Sequence, residues 1–254
     1  MSDTPASNPR RPAHLPWHTR LRSNLIHLPA FLAVTIFFGS LSLAASLFDK
    51  SGRIQQRIAR AWARASVWCS GSRVQITGLE HLPSGPAVYA ANHTSYMDTP
   101  AVFSSLPFQF RILAKKELWS IPFIGWYLSR SGQIPIDTAN PRASLSSLGN
   151  GVKALRDNLS VFVFPEGGRT PDGELKTFLN GAAYLAIRAQ VPLVPIALVG
   201  VYDLLPIHGR HFFPGKQPLQ VMIGQPISTH GVTLRQADEL TAQLRETIAG
   251  MIAG

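Results

Sequence analysis

The sequence predicts an α/β domain, with a mixed, largely parallel sheet flanked by helices, behind an N-terminal two-helix membrane anchor. Three observations lead there: short apolar runs alternate with helical patterns from residue 71 onward, one long uncharged stretch lies near the start, and basic residues crowd around that stretch. Alternating strand and helix patterns are the mark of α/β architecture. With 45% hydrophobic residues the chain is too apolar for disorder, and its single cysteine, Cys69, excludes a disulfide scaffold. One long apolar stretch alone argues against a multi-span membrane protein.

Residues 1–24 are polar and contain Pro5, Pro9, Pro12 and Pro16, which predicts a disordered basic arm. Leu28 to Phe48 gives 21 residues without a charge, long enough as a helix to span a bilayer core. Arg10, Arg11, Arg20 and Arg22 precede it, and Lys50, Arg53, Arg57, Arg60 and Arg64 follow it. Positive flanks favour the cytoplasmic side, and both flanks here are positive, so a segment that dips into one leaflet and returns satisfies both. A single-pass span is the alternative. A cleaved signal peptide ending at Leu43-Ala44-Ala45-Ser46 is another, although the stretch before its apolar region would be unusually long. In the next stretch Ile54, Ile58, Ala61, Trp62, Ala65 and Trp68 share one helical face edged by the arginines, the pattern of an interfacial helix on anionic lipid. An ordinary core-facing helix with a solvated basic side is the competing reading. The anchor is thus assigned to residues 25–70.

Residues 71–254 form the third region. Strands are predicted at Val74–Thr77, Ala87–Ala91, Phe110–Ala114, Gln133–Ile136, Val161–Phe164, Leu193–Leu198 and Leu219–Ile223. Helices are predicted at about 99–105, 119–131, 142–157 and 177–189, and along the stripe Leu234, Ala237, Leu240, Leu244, Ile248 and Met251.

A net charge of +10 calls for an anionic partner. Nucleic acid is disfavoured, because the charge sits beside an apolar segment and no nucleic-acid motif is present.

Two segments carry chemistry. In Asn92-His93-x4-Asp98, a histidine leaves a strand and an aspartate follows one turn later. A turn can fold that carboxylate onto the ring, fixing one nitrogen as N–H and freeing the other as a base. Taken alone, an Asp capping a helix beside an incidental His is the commoner explanation. In Phe164-Pro165-Glu166-Gly167-Gly168-Arg169, a buried strand delivers a carboxylate, two glycines and an arginine. Glycines let backbone amides approach a ligand, and arginine grips phosphate through two parallel hydrogen bonds. A turn with solvated charges is the alternative there. Both segments at strand ends in one domain make the ordinary explanations harder to sustain.

These residues resemble the glycerolipid acyltransferase family that includes the 1-acylglycerol-3-phosphate acyltransferases. The resemblance covers about residues 75–230, and Ala114-Lys115-Lys116-Glu117-Leu118 and Val191-Pro192-Leu193-Val194-Pro195-Ile196 match two further motifs in order. It implies an acyltransferase of phospholipid biosynthesis that acylates the sn-2 hydroxyl of lysophosphatidic acid from an acyl thioester, acyl-CoA or acyl carrier protein, making phosphatidic acid. His93 would be the general base and Asp98 its orienting partner. Glu166, Gly167, Gly168 and Arg169 would hold the glycerol-phosphate end, with Lys115 nearby, while Asn92 and Pro165 support the motifs. The sequence has no metal cluster or nucleotide loop, so no metal and no cofactor beyond the thioester cosubstrate is expected, and the positive flanks of the apolar segment predict a place on the cytoplasmic face of the cell inner membrane.

One motif departs from the pattern. Where the family has Ile-Asp-Arg, this chain reads Ile136-Asp137-Thr138. A hydroxyl cannot supply a guanidinium's charge. Either Arg142 replaces it, or the acceptor is another lyso-lipid, such as a lyso-ornithine lipid or a lysophospholipid. A membrane lipid-binding protein that keeps only the fold is the non-enzymatic alternative.

Overall fold

The computed structural model describes residues 16–137, 141–215 and 217–254. A long N-terminal helix, Trp17–Ala45, comprises α1 (Trp17–Arg22), a π-helical turn (Ser23–His27) and α2 (Leu28–Ala45). It is long and apolar enough to cross a membrane, and only 6% of its most apolar window is buried. It starts earlier than expected, since residues 17–24 were assigned to the disordered arm. The reason is tertiary: Ser23 Oγ accepts the Phe212 N–H at 2.8 Å, and His211 Nδ1 meets Asn24 Oδ1 at 3.0 Å. Residues 1–15 of the arm lie outside the described residues.

The second helix expected in the anchor, α3 (Arg53–Cys69), packs along α2, but it is amphipathic, so the N-terminal region has one long apolar helix rather than two. Its buried face is not the one picked out by apolar spacing. Gln55, Ala59, Ala63, Ser66 and Val67 are buried, and α3 packs on α4 (Asp98–Ser105). Small side chains allow that close approach. Ile54, Ala61 and Trp68 of the expected apolar face are exposed, with Trp68 at 78%. Trp62 turns inward and donates Nε1–H to Thr35 Oγ1 at 3.1 Å.

The domain that follows runs β1 (Val74–Thr77), β2 (Val88–Ala91), α4, β3 (Phe110–Lys115), α5 (Ile124–Arg130), β4 (Ile134–Ile136), α6 (Pro141–Arg156), β5 (Ser160–Val163), α7 (Gly181–Ala189), β6 (Leu193–Val199), the one-turn α8 (Val201–Leu204), β7 (Leu219–Ile223) and α9 (Ala237–Ala253). The seven strands form one sheet in the order β1-β7-β6-β2-β5-β3-β4. Every neighbouring pair is parallel except β6–β7. Strands β2 and β5 are buried throughout and β6 nearly so, as expected where helices cover both faces.

Side chains alternate between the two faces along β2. Tyr89 and Ala91 join α3 and α4 in one apolar layer, while Val88 and Ala90 face α6, α7 and α9 in the other. Because β2, β5 and β3 are adjacent and parallel, their carboxyl ends open on the same side. That is where open α/β sheets bind ligands.

Candidate active site

The three strand ends bring the predicted residues together. His93 follows β2, Pro165 to Arg169 follow β5, and Lys115 ends β3. His93, Lys115, Pro165, Gly167, Gly168 and Arg169 line one cleft of about 280 Å3.

The His–Asp pair is formed. His93 Nδ1 lies 2.7 Å from Asp98 Oδ2. The same oxygen accepts the N–H groups of Thr94 and Ser95, each at 2.7 Å, so the turn itself locks the carboxylate. With Nδ1–H donated to Asp98, the Nε2 lone pair is the ring's free base. The ring is stacked on Phe164, with centroids 3.9 Å apart and planes 13° from parallel. Burial holds the imidazole below its ordinary pKa, against the upward pull of Asp98, and the nearby cations Arg169 and Lys115 add to the lowering. A lowered pKa keeps the ring neutral, and therefore able to accept a proton, at neutral pH.

Glu166 does something its sequence position does not reveal. Its Oε1 accepts the His93 N–H at 2.7 Å and its Oε2 accepts the Lys176 N–H at 3.3 Å. Both oxygens are engaged by main chain, tying the loop after β5 to the residue that carries the imidazole. Burial pushes this carboxyl up to about 7, although both backbone bonds favour the charged form. Thr170 N–H, donated to His93 O at 2.9 Å, is a second tie between the two loops.

Asn92 is a joint between strands. Its Nδ2 donates to Leu198 O at 2.9 Å and its Oδ1 accepts Leu198 N–H at 2.8 Å, fastening the end of β2 to β6. Gly167 has φ +69, a left-handed conformation that suits glycine, and a Cβ there would meet Leu179 Cδ1 at 3.0 Å. A Cβ on Gly168 would lie 3.4 Å from Lys115 Nζ, so the ammonium sits over that backbone.

Arg169 has neutral partners: its Nε donates to Ser95 O at 3.0 Å and its Cζ lies 4.4 Å from the centroid of the Tyr96 ring. Thr138 and the Arg142 side chain lie outside the described residues. Lys116, beside Lys115, is paired with Asp137 at 2.5 Å. Among the described residues no cluster of three or more His, Cys, Asp or Glu is placed to hold a metal ion.

Apolar spacing gave no sign of a second cavity, about 240 Å3, between the anchor helices and the domain. Phe38, Gly39, Ile58, Trp62, Phe103 and Phe123 are among its walls, and it shares Thr99 and Ile112 with the cleft that holds His93. Phe123 closes against α2: a Cβ on Gly39 would clash with its ring. No single segment encodes this space, because five separate elements wall it.

Comparison with known proteins agrees with the geometry. A family model described as Acyltransferase matches residues 73–199. The chain is 36% identical over 206 residues to a chloroplastic 1-acyl-sn-glycerol-3-phosphate acyltransferase of Arabidopsis thaliana, covering 80% of this chain and 56% of that protein. It therefore spans just over half the length of that plant relative. It is 31% identical to the 1-acyl-sn-glycerol-3-phosphate acyltransferase of Pseudomonas aeruginosa, with 77% of each chain covered. The crystal structure of the 1-acyl-sn-glycerophosphate acyltransferase PlsC from Thermotoga maritima shares the fold, with a TM-score of 0.75 at 24% identity over 91% of this chain and 94% of that one. The chain belongs to the acyltransferase family that includes the 1-acyl-sn-glycerol-3-phosphate acyltransferases.

Proposed function

We propose that this protein transfers a fatty acyl group from an acyl thioester to the sn-2 hydroxyl of 1-acylglycerol-3-phosphate, making phosphatidic acid. The observation that carries the reading is a His93–Asp98 pair at 2.7 Å whose imidazole faces a cleft also lined by Lys115 and Arg169. The cleft thus holds a base for an alcohol and cations for a phosphate, side by side.

In the reaction, His93 Nε2 takes the proton from the sn-2 hydroxyl as its oxygen attacks the thioester carbonyl. Asp98 holds the ring and stabilises the imidazolium that forms. Collapse of the tetrahedral intermediate re-forms the carbonyl and breaks the C–S bond, and the departing thiolate takes the proton from His93. No acyl-enzyme is required, and Cys69, buried at the end of α3, lies outside the cleft. Arg169 and Lys115 hold the phosphate. Glu166 braces the His93 main chain rather than gripping the acceptor. The apolar cavity behind Thr99 and Ile112 receives an acyl chain. The exposed apolar surface of α2, flanked by arginines, seats the protein on an anionic membrane, in this reading the cytoplasmic face of the inner membrane.

A second reading keeps the chemistry and changes the acceptor; Thr138 in place of the family's arginine favours it. The test is acyl transfer by wild type and His93→Ala in anionic lipid–detergent micelles, with acyl-CoA or acyl carrier protein as donor and a panel of lyso-lipids as acceptors. Lysophosphatidate turnover that falls about 10²–10⁴-fold in the variant is the expected result. Turnover confined to another lyso-lipid would replace the acceptor, and no turnover with either donor would overturn the proposal.

A further inference from the structure

An arginine that binds a substrate phosphate meets two opposing demands. It must be held still, because fixing a free arginine side chain gives up rotamer entropy. It must also keep its charge unneutralised, and the usual way of holding arginine, a carboxylate, removes that charge. Arg169 is held without an acid. Its Nε–H goes to the Ser95 carbonyl at 3.0 Å, and its guanidinium carbon lies over the Tyr96 ring, 4.4 Å from the centroid. Among the described residues no carboxylate oxygen lies within 4.0 Å of it, and its terminal amino groups make no hydrogen bond. Two neutral partners therefore hold the Nε–H and set the group against a ring, leaving the terminal amino groups for a ligand.

Tyr96 is 45% exposed, and its hydroxyl makes no hydrogen bond among the described residues. Its position is not explained by burial or by the phenol. The same turn sets the catalytic pair, since Ser95 gives its N–H to Asp98 and its carbonyl to Arg169. Its hydroxyl is also donated to Leu205 O at 2.5 Å, so this peptide is fixed at three points. The spacing between base and cation is thereby built into residues 93–98.

We infer that Tyr96 is a positioning residue for phosphate recognition: its ring face, with the Ser95 carbonyl, aims at the phosphate of the acceptor an Arg169 guanidinium that no carboxylate pairs with directly. The inference rests on the acceptor being a phosphate-bearing lyso-lipid, as proposed above. It assigns Tyr96 no part in the proton transfer.

The test is a kinetic double-mutant cycle on the full chain in lipid–detergent micelles, with lysophosphatidate as the varied acceptor. Tyr96→Ala is expected to raise the acceptor KM about 2- to 30-fold, the range a cation–π contact supports. It should leave kcat and the donor KM within about twofold, the lower edge of that range. Tyr96→Phe, which keeps the ring, should restore the wild-type KM. Tyr96→Leu keeps bulk but no ring, should behave as Ala, and serves if the alanine variant does not fold. In an Arg169→Ala background, Tyr96→Ala should have no further effect. A fall in kcat at unchanged KM, a Phe variant as impaired as Ala, or full additivity with Arg169→Ala would overturn the inference. If wild type does not acylate lysophosphatidate at all, the proposed acceptor fails first and the inference with it; additivity in an active enzyme removes the inference alone.

Discussion

Replacing Asp98 with Asn tests the base-and-orienter arrangement with the least change in shape. Asp98 is fully buried; its Oδ2 accepts three N–H groups and its Oδ1 has no partner among the described residues. An asparagine keeps one oxygen for those donors and places its NH2 where Oδ1 lies. Burying that unpaired donor costs about 1–3 kcal/mol of stability, which a folded domain can tolerate. The catalytic loss has a different origin. A bond to a charged acceptor is worth about 1 kcal/mol more than a neutral one, which applies to the Nδ1 contact. The larger part is the attraction between carboxylate and imidazolium once the proton has moved, about 4 kcal/mol at about 4 Å and an effective dielectric of about 20. The two overlap, so about 3–4 kcal/mol is lost from the transition state, or about 10²–10³-fold in kcat. The assay is steady-state acyl transfer with both substrates saturating, beside a thermal melt to confirm folding. The pH profile adds a second reading. Asp98 pulls the His93 pKa up while burial holds it below 6.5, so removing the carboxylate lowers it further. The acid limb of kcat/KM should then move to lower pH in the variant. A folded variant with kcat within threefold of wild type, or an acid limb displaced upward, would refute the reasoning.

Three further outcomes follow from the same geometry. Glu166 titrates near 7 in the fold against an ordinary 4.5, so the folded state holds a proton that the unfolded chain releases. Its contribution to stability is therefore largest below pH 4.5 and is lost as pH rises toward 7. Glu166→Gln should flatten that slope in urea titrations at pH 5 and pH 7.5, and an unchanged slope would assign it to other groups. Asn92→Ala strands the buried Leu198 N–H and C=O, with an expected loss of about 2–4 kcal/mol of unfolding free energy by denaturant titration; a loss under 1 kcal/mol would show that the β2–β6 joint does not depend on it. Phe123→Ala enlarges the apolar cavity at its α2 wall. The acyl-length optimum in a competition assay with mixed thioesters should move to longer chains, with up to about fourfold in affinity for each added buried methylene. An unmoved optimum would take the acyl chain out of that cavity.

Most elements of the domain were legible because they have a local signature; the one-turn α8 was not, and the helix expected at 119–131 forms only as α5 (Ile124–Arg130). The Leu219–Ile223 run became β7 over those same residues, and the stripe from Leu234 to Met251 became a short 3-10 turn and α9. The long apolar helix was legible from its lack of charge, but not its first turns, whose contacts lie on residues 211–212. The face that α3 buries was misread. Apolar spacing weighs hydrophobicity, whereas α3 packs through Ala59, Ala63 and Ser66, chosen by size. The reversed pairing of β6 with β7 leaves no trace in either strand's own residues.

Within the site, His93, Asp98, Lys115 and Arg169 were picked out from the sequence through the family's motifs, and the His–Asp turn was legible because the two residues lie only five positions apart. Three things needed the tertiary structure: that β2, β5 and β3 lie side by side with their ends together, that Glu166 faces the His93 main chain, and that Tyr96 lies under Arg169. The physical reason is range. Backbone preference and hydrophobic period act over a few residues, but residues 93, 115 and 166 meet only when the sheet is assembled, and the energy of that assembly is spread over two buried layers.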